Sequence, residues 1–189
     1  MVITISYKEE LPKGFIEINC TSRGNDKWRE LSPFMNRQVS NKEGIIAQNM
    51  ENLWQFSKVY KSHINHDGSI KDEYFRWRLK GFNSKFAQRY PMGKGIKPEF
   101  LLWGEERLSY VEAREKVYFP KYEESIRDTD IFNDLVDLYR SKLDIAIRDF
   151  DVYRFDPTKL TIEDIVKNPY KKAGHGFVIY KMLMDLDKS

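Results

Sequence analysis

The chain has 189 residues, 41% of them hydrophobic and 32% charged, with a net charge of only +3. That length sustains one compact domain whose core needs neither disulfides nor metals, and the scatter of Gly and Pro excludes a long disordered tail. The single cysteine, Cys20, has no internal partner and three histidines are few for a metal enzyme, so a reducing cytoplasm is expected and a metal enzyme is not.

The first apolar run meets acidic residues and Pro12 too early for a secretory signal. No long uncharged run follows, so a soluble protein without a membrane partner is expected. Val2 to Tyr7 and Phe15 to Asn19 are rich in β-branched residues and flank a turn holding Pro12 and Gly14, which predicts a hairpin. Cys20 to Phe34 has no helical period and reads as a long loop that either offers Arg23 and Ser32 as ligand contacts or merely wraps the core.

Asn49 to Tyr60 predicts a helix that is apolar nearly all round, through Met50, Leu53, Trp54, Phe56, Val59 and Tyr60. Glu51, Gln55 and Lys58 form its one polar stripe. Either the stripe is the solvated edge of an amphipathic helix, or it lines a cavity where a carboxylate, an amide and an ammonium converge on a ligand. The following His63, His66 and Asp67 read as an exposed turn, because a metal site needs three or four ordered donors.

Asp72 to Lys80 and Ser84 to Tyr90 read as helices, with Gly81 ending the first. From Arg76 to Pro98 there are seven basic residues, Arg76, Arg78, Lys80, Lys85, Arg89, Lys94 and Lys97, and no acidic one. They are interleaved with Trp77, Phe82, Phe86 and Tyr90, a mixture that suits phosphates flanked by stacking bases. A phosphorylated ligand or a nucleic acid is one reading of this segment, and a basic helix face over core aromatics is the other. The Pro91 to Gly95 loop can bring backbone N–H groups and Lys94 to a phosphate, although it lacks the spacing of a Walker loop. Trp103 is either a core plug or an aromatic lid.

Ser109 to Glu123 and Thr129 to Ser141 read as architectural helices, the second capped by Thr129 or Asp128. Leu143 to Ile147 reads as a short strand, which sets Asp149 and Asp151 near a strand end, a place for catalytic carboxylates and for turn formers alike. Leu160 to Lys167 and Lys171 to Leu186 are the last predicted helices. The second opens with Gly174-His175-Gly176, where missing side chains let the backbone approach a ligand or a neighbouring helix. The expected fold is α+β and mainly α-helical, a single domain over residues 1–189 with a small N-terminal β-hairpin or sheet.

The order of these motifs resembles the NADAR family of N-glycosidases. Ile18-Asn19, Ser22 and Leu31-Ser-Pro-Phe34 look like the family's INF-x-S and FSNF, and Met50 to Lys58 is similar to its SEHYFQAQK, so that Glu51, Gln55 and Lys58 fall on its Glu, Gln and Lys. Met92-Gly93-Lys94 resembles its M-G-R, Trp103 the tryptophan that follows, Asp151-Val-Tyr153 its D-x-Y-W-G, and Gly174 with the next helix its N-x-L-G-x-x-L-M. Pro33, Arg154-Phe155 and Lys171 depart from the pattern.

The resemblance implies a NADAR-like fold and hydrolysis of the ribose–base bond in a phosphorylated nucleoside, such as ADP-ribosylated guanine or a phosphoribosylated riboflavin precursor, with no cofactor. It implies that Glu51 and Asp151 are the paired carboxyls of the reaction and share one cavity. Lys58 and Lys94 would hold phosphate, Trp103 would stack on the base, and Gln55, Tyr153, Ser22, Arg23 and Gly174 would complete the pocket. The rival expectation is a non-catalytic nucleotide- or nucleic-acid-binding protein that uses the segment from Arg76 to Lys97.

Overall fold

Ile145–Asp149 is buried at all five positions, and such a strand is found where both faces of a sheet are covered. In the computed structural model, which describes residues 1–188, it is the central strand of a three-stranded parallel sheet, with Val2–Ser6 on one side and Ile16–Asn19 on the other. The two N-terminal strands therefore do not form the expected hairpin. A segment from 143 residues downstream lies between them, and residues 7–15 carry the chain back so that both strands run the same way. Arg148 fixes that return: its Nη1 donates to the carbonyls of Ser6, Tyr7 and Glu9 at 2.9, 3.0 and 2.6 Å, and its Nε pairs with Glu17.

Backbone contacts divide the chain into two units, one made of Met1–Pro33 and the chain from Tyr122 onward, the other of Phe34–Lys121. The first holds the parallel sheet. The His175–Asp185 helix packs on Val2–Ser6 and Ile145–Asp149, and Phe177, Val178, Ile179 and Leu183 supply its fully buried side. The Lys27–Leu31 turn of 3₁₀-helix packs against the Asp130–Arg140 helix, where Thr129 accepts the Phe132 N–H as N-cap. Ile162–Lys167 opens with a capping box between Thr161 and Asp164.

In the second unit all seven residues of the Met50–Phe56 helix are buried, and Asn49 caps it by accepting the Asn52 N–H at 2.8 Å. The helix is shorter than the sequence pattern suggests. Ser57 ends it, and Lys58–Val59 is a strand that pairs antiparallel with Phe100–Trp103, which pairs in turn with Glu106–Leu108 across Gly104 at φ +62°. A short antiparallel pair, Val39–Ser40 with Ile46–Ala47, packs on the same helix. Asp72–Asn83 is helical as expected, but Gly81 lies inside it. A Cβ there would meet the Phe56 ring at 2.1 Å, so glycine is what lets the two helices approach.

Ser84 to Tyr90 is not helical and runs as an irregular loop, because Asn52 holds its backbone in another shape. The stretch after Ser109 is helical as expected, with Tyr110–Ala113 followed by a π-turn at Arg114–Tyr118 and by Phe119–Ile126. His63 is buried among Tyr60, Tyr74 and Trp77, with Nδ1 accepting the Tyr60 N–H, so it is not part of an exposed turn; His66 is exposed. The fold is α+β and mainly helical, with small sheets. Among the described residues no helix is long and apolar enough to cross a membrane.

Candidate functional site

The polar stripe of the Met50–Phe56 helix is buried, with Glu51 only 6% exposed, so it is not the solvated edge of an amphipathic helix. Gln55 Nε2 donates to Glu51 Oε1 at 2.9 Å, and Gln55 Oε1 accepts from Lys58 Nζ at 2.8 Å. The amide is thereby oriented at both ends, since only its nitrogen donates and only its oxygen accepts. A carboxylate and an ammonium are thus joined through one amide in surroundings where electrostatic interactions are stronger than in water.

Lys58 reaches this position from the strand rather than from the helix. Burial brings its ammonium down to about 8, against the Glu51 carboxylate, which favours the charged form. The Lys58 Nζ lies 4.8 Å from the centre of the Trp54 ring, and Trp54 in turn packs on Tyr118 at 5.0 Å and Tyr110 at 6.3 Å. These three rings were not among the sequence candidates. Trp54, four residues before Lys58, is the one the sequence could have flagged, and the half-exposed Tyr110 comes from a distant helix.

Of the other candidates in this unit, Trp103 is 9% exposed on its strand and sits with core residues Leu101 and Leu102. Lys94 is exposed on a loop turned by Gly93 and Gly95, at φ +103° and +90°. Arg78, by contrast, is buried over Tyr74 and Phe82 and paired with Glu43, which assigns it to the fold.

In the sheet unit a second buried polar cluster surrounds Asp149, at the end of the central strand. Its Oδ1 accepts the Phe150 N–H at 2.6 Å, and its Oδ2 accepts the Gly176 N–H at 3.1 Å and lies 3.2 Å from His175 Nδ1. His175 Nε2 is 2.8 Å from the Cys20 carbonyl oxygen. A carbonyl only accepts, so Nε2 carries a hydrogen, and the remaining ring nitrogen faces the carboxylate. Burial, with the Asp149 carboxylate adding to it, holds the Cys20 thiol well above its usual range. His175 was not a sequence candidate; its signal was the pair of flanking glycines. A Cβ on Gly174 would lie 2.3 Å from Asp149 Oδ2, so the glycine serves a close approach of helix start and strand end.

Asp151 accepts from Lys172 Nζ at 2.8 Å and, through its carbonyl, from the Gly174 N–H at 2.9 Å. Tyr153 stacks edge-on against Phe177 with the Lys171 ammonium over its ring. Ser22 is half-buried, and the exposed Arg23 lies 5.6 Å from the Phe150 ring centre. Glu51, Gln55 and Lys58 are therefore joined in one unit, and Asp151, Gly174 and Asp149 in the other.

No curated protein and no solved structure matches the chain. Residues 4–159, most of its length, match a family of unknown function, DUF6939, and the chain belongs to that family.

Proposed function

We propose that the protein is an N-glycosidase that hydrolyses the ribose–base bond of a phosphorylated nucleoside-type substrate, with ADP-ribosylated guanine as the leading candidate. The observation that carries this reading is the buried chain of Glu51, Gln55 and Lys58 beside the Trp54 ring. Cleavage of a ribose–nitrogen bond builds positive charge on the sugar, and a carboxylate held in a low-dielectric site stabilises that charge without reorganising. Gln55 fixes the carboxylate's direction. Lys58, partly desolvated and still cationic below pH 8, supplies a charge-assisted donor for a substrate phosphate. The similarity of the Met50 to Lys58 motif to the NADAR family supports the choice of bond.

The test is incubation with ADP-ribosylated guanosine followed by chromatography. Release of ADP-ribose and free guanosine, or of the free base, supports a glycosidase. Tight binding with no product supports the non-catalytic binding protein instead.

A further inference from the structure

We infer that residues 84–97 form a platform for single-stranded nucleic acid, in which Phe86 and Tyr90 stack on bases and Lys85, Lys94 and Lys97 meet phosphates. The structure divides the basic aromatic segment into two parts. Arg78 and Phe82 are buried in the second unit, and Trp77 packs on Phe56 and His63. Beyond Asn83, Phe86 is 83% exposed and Tyr90 51%, with Lys85, Lys94 and Lys97 exposed around them and no acidic residue from Tyr74 to Pro98.

A large ring left in water usually belongs to a loose loop, but this loop is held. Asn52, fully buried on the Met50–Phe56 helix, donates from Nδ2 to the carbonyls of Ser84 and Phe86 at 2.9 and 3.0 Å and accepts the Gln88 N–H at 2.9 Å. Ser84 Oγ also accepts the Phe86 N–H at 3.2 Å. The backbone on both sides of Phe86 is thereby fixed while its ring points outward, which lowers the ordering cost of a contact. Arg89 stacks on the Tyr90 ring at 5.5 Å, and glycines at positive φ on either side of Lys94 turn that residue outward.

Two exposed rings among cations suit unpaired bases and their backbone, because every base offers a π-face and every linkage a charge. A duplex hides its base faces within the stack, so the rings favour the single strand. The platform is read from exposure and charge and goes beyond the glycosidase reading: it stands whether or not Glu51 turns over a substrate.

Fluorescence anisotropy with a labelled 20-nucleotide oligothymidylate, the same-length duplex, and vesicles of anionic phospholipid tests the inference on the full chain. The single strand is expected to bind tighter than the duplex, and to lose about twentyfold in affinity between 50 and 200 mM salt if three phosphates are engaged. Replacing Phe86 and Tyr90 together by alanine is expected to weaken binding at least tenfold with the salt slope kept, since each stacked base contributes about that factor. Replacing Lys85 and Lys97 by alanine is expected to flatten the salt slope. All four positions are exposed, and an unchanged melting temperature shows that each variant is folded. No binding of the single strand at 50 mM salt, binding indifferent to the loss of both rings, or capture by vesicles alone overturns the inference.

Discussion

The Lys58 ammonium donates to Gln55 Oε1 at 2.8 Å although Gln55 lies on a helix and Lys58 on the strand that follows it. The one-residue turn at Ser57 redirects the backbone, and the Lys58 side chain returns alongside the helix. That return removes the ammonium from water, which is why it titrates near pH 8 rather than in the usual lysine range. Labelling lysine side chains with ¹³C and following their shifts by NMR is expected to reveal one lysine titrating near pH 8, well below the rest, and that signal disappears in Lys58→Met.

The same shift fixes a pH dependence with a definite sign. The folded chain releases the Lys58 proton near pH 8 and the unfolded chain near 10.5, so between these values the unfolded state holds more protons. The Lys58 contribution to stability therefore rises with pH through this window and is lowest below pH 8. Binding of an anionic substrate moves the other way and weakens as the ammonium is lost above pH 8. Melting temperature and substrate affinity of wild type minus Lys58→Met, taken across pH 7 to 10.5, are expected to show these opposite trends.

The Asp149–His175 pair is a matter of stability. His175 Nδ1 lies 3.2 Å from Asp149 Oδ2, both groups are buried, and a buried polar group that loses its partner typically costs about 1–3 kcal/mol. His175→Ala is expected to lower stability by that order in urea unfolding, and the double variant with Asp149→Ala by less than the sum of the single losses. Additive losses would mean that the two residues do not act as a pair.

Trp103 is expected to act through packing. With 9% of its surface exposed, its replacement by alanine empties a core position, at a cost of about 3–5 kcal/mol. Gly81→Ala drives a methyl group into the Phe56 ring and is expected to cost about 1–3 kcal/mol. Thermal unfolding checks both, and a Trp103→Ala protein with unchanged melting temperature and weakened substrate binding would instead place the ring on a ligand.

The polar stripe was legible in the sequence because its spacing of four and three is local and survives a misjudged helix end. The end itself was not legible. Val59 and Tyr60 continue the apolar pattern, and what converts Lys58–Val59 to strand is pairing with Phe100–Trp103, some forty residues away. A strand in this region was legible from Leu143 to Ile147, but the observed one is Ile145–Asp149, and both its register and its insertion between the two N-terminal strands depend on parallel pairing that no local signal encodes. Asn52 shows the same limit. It interrupts the apolar pattern as any polar residue does, and only the fold reveals that its side chain holds the loop at residues 84–88. Gly174-His175-Gly176 signalled a close backbone approach, and only the fold reveals that Asp149 is what is approached and that His175 faces it.

In the proposed reaction Glu51 stabilises charge developing on the sugar. Glutamine at this position keeps the shape and the capacity to accept from Gln55 while removing the charge, so single-turnover kinetics of Glu51→Gln with ADP-ribosylated guanosine test that role directly. A loss of turnover on the order of a hundredfold or more is expected, with substrate affinity nearly unchanged. A Glu51→Gln protein that cleaves the substrate at close to the wild-type rate would contradict that role.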